Sequence, residues 1–210
     1  MTNIKAVVSD FGGVLTSPLL NSFAAIQDSS GISLEDLGLA MMTVAQTLGV
    51  NPLVELETGR MAEAEFLREL GEPLSRQLGR PVPMHSFGEA VFENLHPNQP
   101  MIDYLRGLRD RGYRLALCTN NVREWEARWR SMLPVDEIFE VVVDSAFVGM
   151  RKPDPEIYQV TLERLQVPAE ATLFVDDIDV NCDAARAAGM RAVQFRDTEQ
   201  AIAEIEEILS

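Results

Sequence analysis

Short apolar runs separated by amphipathic stretches set the pattern of this chain. Residues 4–16 read Ile-Lys-Ala-Val-Val-Ser-Asp-Phe-Gly-Gly-Val-Leu-Thr, the signature of a buried strand that delivers Asp10 into a glycine turn. Residues 113–121 and 172–177 repeat the arrangement, ending on Thr119 and Asn120 and on the pair Asp176 and Asp177. Residues 138–143 and 191–195 read as two further strands. Helical patterns fall between them. One follows Pro100 and closes at Gly112, and others cover 155–165, 181–188 (stopped by Gly189) and 199–209. Strands alternating with helices predict an α/β fold with a parallel sheet. Trp125 and Trp129, four residues apart, belong to one more helix, where they can pack together, against the helical segment upstream, or on a ligand.

Residues 17–95 have a different texture, rich in helical periodicity and poor in strand-like runs. Helices are expected over 19–28, over 34–48 with Ser33 and Asp36 as a capping-box-like pair, over 61–70 ending at Gly71, and over 87–95. Two prolines one residue apart make 79–83 a loop.

The chemistry gathers at the strand ends. In an open α/β sheet, ligands bind beyond the carboxyl ends of the strands, so Asp10 is placed to meet a substrate. A hydroxyl at Thr119 and an amide at Asn120 suit phosphate, and Lys152 is held extended ahead of Pro153. Adjacent carboxylates repel unless a cation or a shared proton separates their charges, which makes magnesium a natural companion of Asp176 and Asp177. Each motif alone has an ordinary alternative, such as a turn aspartate, a Thr-Asn strand end or a surface lysine.

Together and in this order, Asp-x-x-Gly-Val, strand-Thr-Asn, Arg-Lys-Pro-Asp-Pro and Phe-Val-Asp-Asp with Asn181 four residues on, the motifs resemble the haloacid dehalogenase superfamily. The similarity is greatest to its phosphatase branch with a small helical cap inserted after the first motif. The resemblance implies a Rossmann-like three-layer core of 1–16 and 96–210, with an all-helical cap of 17–95. It implies a magnesium-dependent phosphatase acting on a small phosphorylated metabolite. Asp10 would be the nucleophile, Lys152 its charge partner, and Thr119, Asn120 and Lys152 the phosphate ligands. Magnesium would be held by Asp10, the backbone carbonyl of Gly12, Asp176 and Asp177, with Asp177 the more direct ligand of the acidic pair. Asn181 would orient the acidic loop or cap a helix.

One position departs from the pattern. Two residues after the nucleophile the family usually carries a second aspartate, the general acid and base, and here it is Gly12. Such catalysis is typically worth roughly a hundred- to ten-thousandfold in rate. Its loss suits a substrate with a good leaving group, a proton donor supplied by the cap, or a protein that only binds its ligand. A dehalogenase would share the nucleophile but has no use for the acidic pair.

Charge narrows the partners. With 18 basic and 33 acidic residues among 210, the formal charge is −15, which argues against nucleic acid or an anionic membrane surface. Two separated cysteines, Cys118 and Cys182, read as core residues in a reducing compartment, and no apolar run reaches a membrane span or a signal peptide. A cytoplasmic enzyme is expected. His85 and His96 fall outside every motif.

Overall fold

The computed structural model describes residues 3–84 and 87–210, so His85 lies outside the described residues. Five strands, β1 (Ala6–Ser9), β2 (Arg114–Thr119), β3 (Val141–Asp144), β4 (Thr172–Asp176) and β5 (Arg191–Gln194), form one sheet in the order β3-β2-β1-β4-β5. Every pairing is parallel, as the alternation of elements predicts. Helices α1 (Leu19–Ser30), α2 (Leu34–Leu48), α3 (Pro52–Glu57), α4 (Glu63–Leu78) and α5 (Phe87–Glu93) follow β1, and α6 (Gln99–Asp110) leads into β2. Next come α7 (Glu126–Ser131) and α8 (Val135–Ile138) before β3, then α9 (Ser145–Val148) and α10 (Pro155–Leu165) before β4. Helix α11 (Asp179–Ala187) joins β4 to β5, and α12 (Thr198–Leu209) ends the chain.

Strand periodicity sorts the core into two layers. Val7, Leu115, Leu117, Leu173, Val175 and Val193 point to one face and pack against α6, α7, α8 and α12. Ala6, Val8, Ala116, Cys118 and Phe174 point to the other and meet α10 and α11. Strand β1 lies between β2 and β4, so the chain changes its direction of progress across the sheet at β1, and a crevice opens there. The register pairs Ser9 with Val175, and Asp10 extends that ladder by donating its N–H to the Val175 carbonyl at 2.8 Å. Asp10 and Asp176 therefore stand side by side.

The inserted helices build their own apolar cluster, in which Leu37, Ala40 and Val44 of α2 meet Phe66, Leu67, Leu70 and Leu74 of α4. Ser33 and Asp36 form the expected capping box on α2. Two expectations fail here. Helix α4 does not stop at Gly71 but continues through Pro73 to Gly79, whose φ of 64° ends it. The apolar stripe that includes Leu74 outweighs the single hydrogen bond that Pro73 cannot make. Helix α3 was not expected at all, being only six residues long, although Asn51 caps it and Pro52 opens it.

Elsewhere Ile138 lies in α8 rather than in a strand, and β3 starts at Val141. Trp125 sits in a 3-10 turn ahead of α7, and the two tryptophans diverge. Trp125 meets Phe92 edge-on at 5.4 Å, while Trp129 packs on Phe11 at the same distance. Among the described residues no helix is long and apolar enough to cross a membrane.

Leu105 of α6 is fully buried in the larger core cluster, whereas Leu20 is largely exposed. Leu105→Ala is expected to cost about 2–5 kcal/mol in urea denaturation, and Leu20→Ala less than about 0.5 kcal/mol.

Candidate active site

The site grows from strand ends that the sheet brings within reach of one another. Lys152 arrives on the loop between α9 and α10, and its ammonium is only 2% exposed. Its Nζ donates to Asp10 Oδ1 and to Asp176 Oδ2, both at 2.6 Å. A second clamp fixes the loop that presents it. The Asn120 side chain accepts from the Lys152 N–H at 2.8 Å and donates to the Lys152 carbonyl at 2.9 Å. Asn120 thus spends its amide on the lysine backbone.

Asp176 is saturated. Its Oδ1 accepts from the Ile178 N–H at 2.9 Å and from Asn181 Nδ2 at 3.0 Å, while Oδ2 is held by Lys152. Asn181 lies within α11, where it orients Asp176 rather than capping the helix. Asp177 has the opposite character, since its buried Oδ1 meets no hydrogen-bond partner among the described residues. Gly13 makes room for this carboxylate. With φ at 83°, it would thrust any Cβ to 2.4 Å from Asp177 Oδ2. The carboxylates of Asp10, Asp176 and Asp177 offer oxygens all within 4.8 Å of one another.

One ammonium faces three carboxylates, and the excess negative charge shows in the titration. Burial pushes the Asp10 carboxyl up, Lys152 pulls it back, and Asp176 and Asp177 raise it again, to about 7. Burial likewise raises Asp177, with Asp176 adding to it. Burial works against the charge on Lys152, but the two carboxylates prevail and hold it protonated. An orphaned buried oxygen beside two more carboxylates fits a divalent cation with hard oxygen ligands.

The remaining predicted residues lie at the same place. Thr119 is buried at the end of β2, and its hydroxyl makes only a 3.4 Å contact with the Asn120 carbonyl. Gly12 is half-buried, and a Cβ there would approach Leu19 Cδ1 of α1 at 3.2 Å. His96 is exposed.

Above Gly12, Thr119 and Asn120 opens a cavity of about 280 Å³ roofed by α1–α5, with Phe23, Met41, Phe66, Leu70, Phe87 and Trp125 in its wall. Two acids also reach it, Glu57 and Glu63. Glu63 Oε1 accepts the Trp125 indole N–H at 2.8 Å. No motif points to Glu57, which closes the short helix α3. Its Oε2 lies 3.0 Å from Arg151 Nη1 without hydrogen-bond alignment, and its carboxyl is raised by burial against the pull of Arg151 and Lys152.

A parallel α/β sheet with a buried aspartate at its switch point, a lysine bridging two strands and a helical lid defines a class of hydrolytic enzyme. The chain belongs to the haloacid dehalogenase-like hydrolases, whose family model matches residues 4–189. It is 30% identical over 208 residues to the sesquiterpene phosphatase astK of Aspergillus oryzae, covering 94% of this chain and 92% of that one. It is 27% identical over 215 residues to bifunctional epoxide hydrolase 2 of Sus scrofa, covering 98% of this chain but only 39% of that longer protein. The fold also matches a haloacid dehalogenase family enzyme of Bacteroides thetaiotaomicron, solved with magnesium and inorganic phosphate. That match has a TM-score of 0.67 at 22% identity and covers 91% of this chain and 94% of the other.

Removing Lys152 leaves two buried carboxylates facing one another. Lys152→Met is expected to cost about 3–5 kcal/mol of stability at pH 8. Without the ammonium, burial and the neighbouring carboxylates act on Asp10 unopposed, so its folded-state pKa lies further above its unfolded one. Its protonated form stabilises the variant at low pH, and that contribution is lost as pH rises through the folded pKa. Urea denaturation at pH 5 and pH 8 should therefore show the deficit growing with pH.

Proposed function

We propose that the protein is a magnesium-dependent phosphatase that hydrolyses a small-molecule phosphate monoester through an aspartyl-phosphate on Asp10. The observation that carries this reading is the unpartnered, buried Oδ1 of Asp177 set against Asp10 and Asp176. A dehalogenase has no task for such an oxygen. In this reading 1–16 and 96–210 form the catalytic core, and 17–95 form the cap.

Asp10 attacks phosphorus as the bond to the alcohol oxygen breaks, and water then attacks the same phosphorus to release phosphate and restore the carboxylate. Lys152 balances the charge of Asp10 and of a phosphoryl oxygen, while the Thr119 hydroxyl and the Asn120 N–H hold the other oxygens. Asp10, the Gly12 carbonyl, Asp176 and Asp177 would hold magnesium, which supplies neutralisation of phosphoryl charge. Because Lys152 and Asn181 already occupy Asp176, Asp177 is the freer ligand of the pair. The neighbour solved with magnesium and inorganic phosphate supports a magnesium site.

The alcohol is read from the cap. A wall of leucine, phenylalanine and methionine offers few partners for sugar hydroxyls, and burying them unpaired would cost about 1–3 kcal/mol each. An apolar alcohol fits instead, and the relative named a sesquiterpene phosphatase supports the choice.

Three measurements test this function. Asp10→Asn, or removal of magnesium, should reduce turnover of an aryl phosphate by about a thousandfold or more. Beryllium fluoride should bind the wild type only with the metal present, and binding without any turnover would instead indicate a ligand-binding relative. Across a series of straight-chain alkyl phosphates, kcat/KM should rise about fourfold per added methylene until the cavity is filled, from roughly 0.8 kcal/mol per buried CH₂. A flat series would rule out the apolar alcohol.

A further inference from the structure

We infer that Glu57 of the cap donates the proton to the leaving alcohol oxygen, replacing the acid that Gly12 cannot provide. The inference rests on the phosphatase reading above. Glu57 and Gly12 line the same cavity together with Thr119 and Asn120, the residues assigned to the phosphate. The side chain is 18% exposed, and among the described residues Oε2 has the Arg151 ion pair but no aligned hydrogen-bond partner. The other acid of that wall, Glu63, is engaged by Trp125.

The main chain at Glu57 is tied to the phosphate-binding loop by a single hydroxyl. Ser145 Oγ donates to the Glu57 carbonyl at 2.5 Å and accepts the Asn121 N–H at 2.9 Å, one residue beyond Asn120. The turn after α3 is pressed equally close to the core. Gly59, with φ at 68°, lies so near α9 that a Cβ would fall 2.2 Å from the Ala146 carbonyl oxygen. Arg123 donates to that same carbonyl at 2.5 Å. Glu57 is therefore held against the core by contacts that a freely swinging lid would lack.

The groups around the carboxyl suit a proton that is given and taken back. Arg151 and Lys152 face it from the α9–α10 loop, and Glu63 shares the cavity wall. Arg60, near in sequence, is committed to Glu55 at 2.9 Å. Burial raises the carboxyl above its ordinary range, which favours the protonated form, and Arg151 stabilises the carboxylate left behind. In the first step Asp10 bonds to phosphorus, the P–O bond to the alcohol breaks, and the Glu57 proton passes to that oxygen. In the second step water attacks phosphorus, and its proton returns to Glu57.

General acid catalysis matters in proportion to how poor the leaving group is. Glu57→Gln keeps the shape and an acceptor for Arg151 but has no proton of this acidity. We expect it to lower kcat/KM for an alkyl phosphate by about a hundredfold or more, and for 2,4-dinitrophenyl phosphate by less than about threefold. The wild-type alkyl reaction should fall at high pH as Glu57 ionises, and Glu57→Gln should lack that limb. Arg151→Met, which breaks the ion pair but keeps the acid, should move the limb to higher pH. Equal losses on both substrates would make Glu57 a fastener of the cap, and no loss on either would deny it a role. In both cases persisting aryl phosphate turnover by the wild type would leave the phosphatase reading intact. Wild-type inactivity on both substrates would remove the reaction itself, and the proposal with it.

Discussion

A buried ammonium between two carboxylates is the constraint on which the rest of this molecule depends. Lys152 cannot be left alone in the interior, and neither can Asp10 or Asp176, since each unpaired charge would cost several kcal/mol. The pairing requires the end of β1, the end of β4 and the α9–α10 loop to arrive at one point. The sheet order meets that need by setting β1 beside β4. The loop is secured by the Asn120 clamp, and the ring of Phe174 lies 5.6 Å beneath the ammonium. Rigid elements supply the positioning, while the charges supply the specificity of which elements must meet.

The same arrangement leaves an imbalance that a structural ion pair would not. Asp176 is satisfied on every side and acts as a strut for the lysine, whereas Asp177 presents an oxygen with nothing to bind. Gly13 accepts a left-handed backbone and a close approach to maintain that state. Adjacent residues of the site thus divide the work, one chiefly bracing the lysine and the other presenting a free oxygen. Their environments, rather than their identities, decide which is which.

Much of this could be read from residue order because strand ends, helix caps and glycine stops are local signals. Ser33 with Asp36, Pro155 after Asp154, and Gly189 behaved as such signals should. Gly71 and Pro73 did not, because the apolar face of α4 draws its strength from packing against α2, which no local window contains. The four motif segments announced Asp10, Thr119, Asn120, Lys152 and the acidic pair, since each follows an apolar run. Glu57 had no such herald. It sits at the end of a six-residue helix, and its place in the same cavity wall as Gly12 goes with the docking of the cap turn on α9. The phenylalanines and methionines of the cap were equally ambiguous, because apolar periodicity cannot separate a side chain that fills a core from one that lines a cavity.

Gly12 joins these two halves of the problem. A side chain at that position would project toward Leu19 of the cap, where a Cβ alone already comes within 3.2 Å of Cδ1. The apolar lid therefore presses close to the place where an acid on the core would stand, and a larger residue there would displace the cavity wall. If the acid resides on the cap instead, chemistry becomes contingent on the cap being seated, because the proton donor and the phosphate ligands then belong to different layers. A substrate whose apolar portion fills the cavity buries surface against the same helices that carry Glu57, so binding energy from the non-reacting part of the molecule would hold the donor over the reacting oxygen.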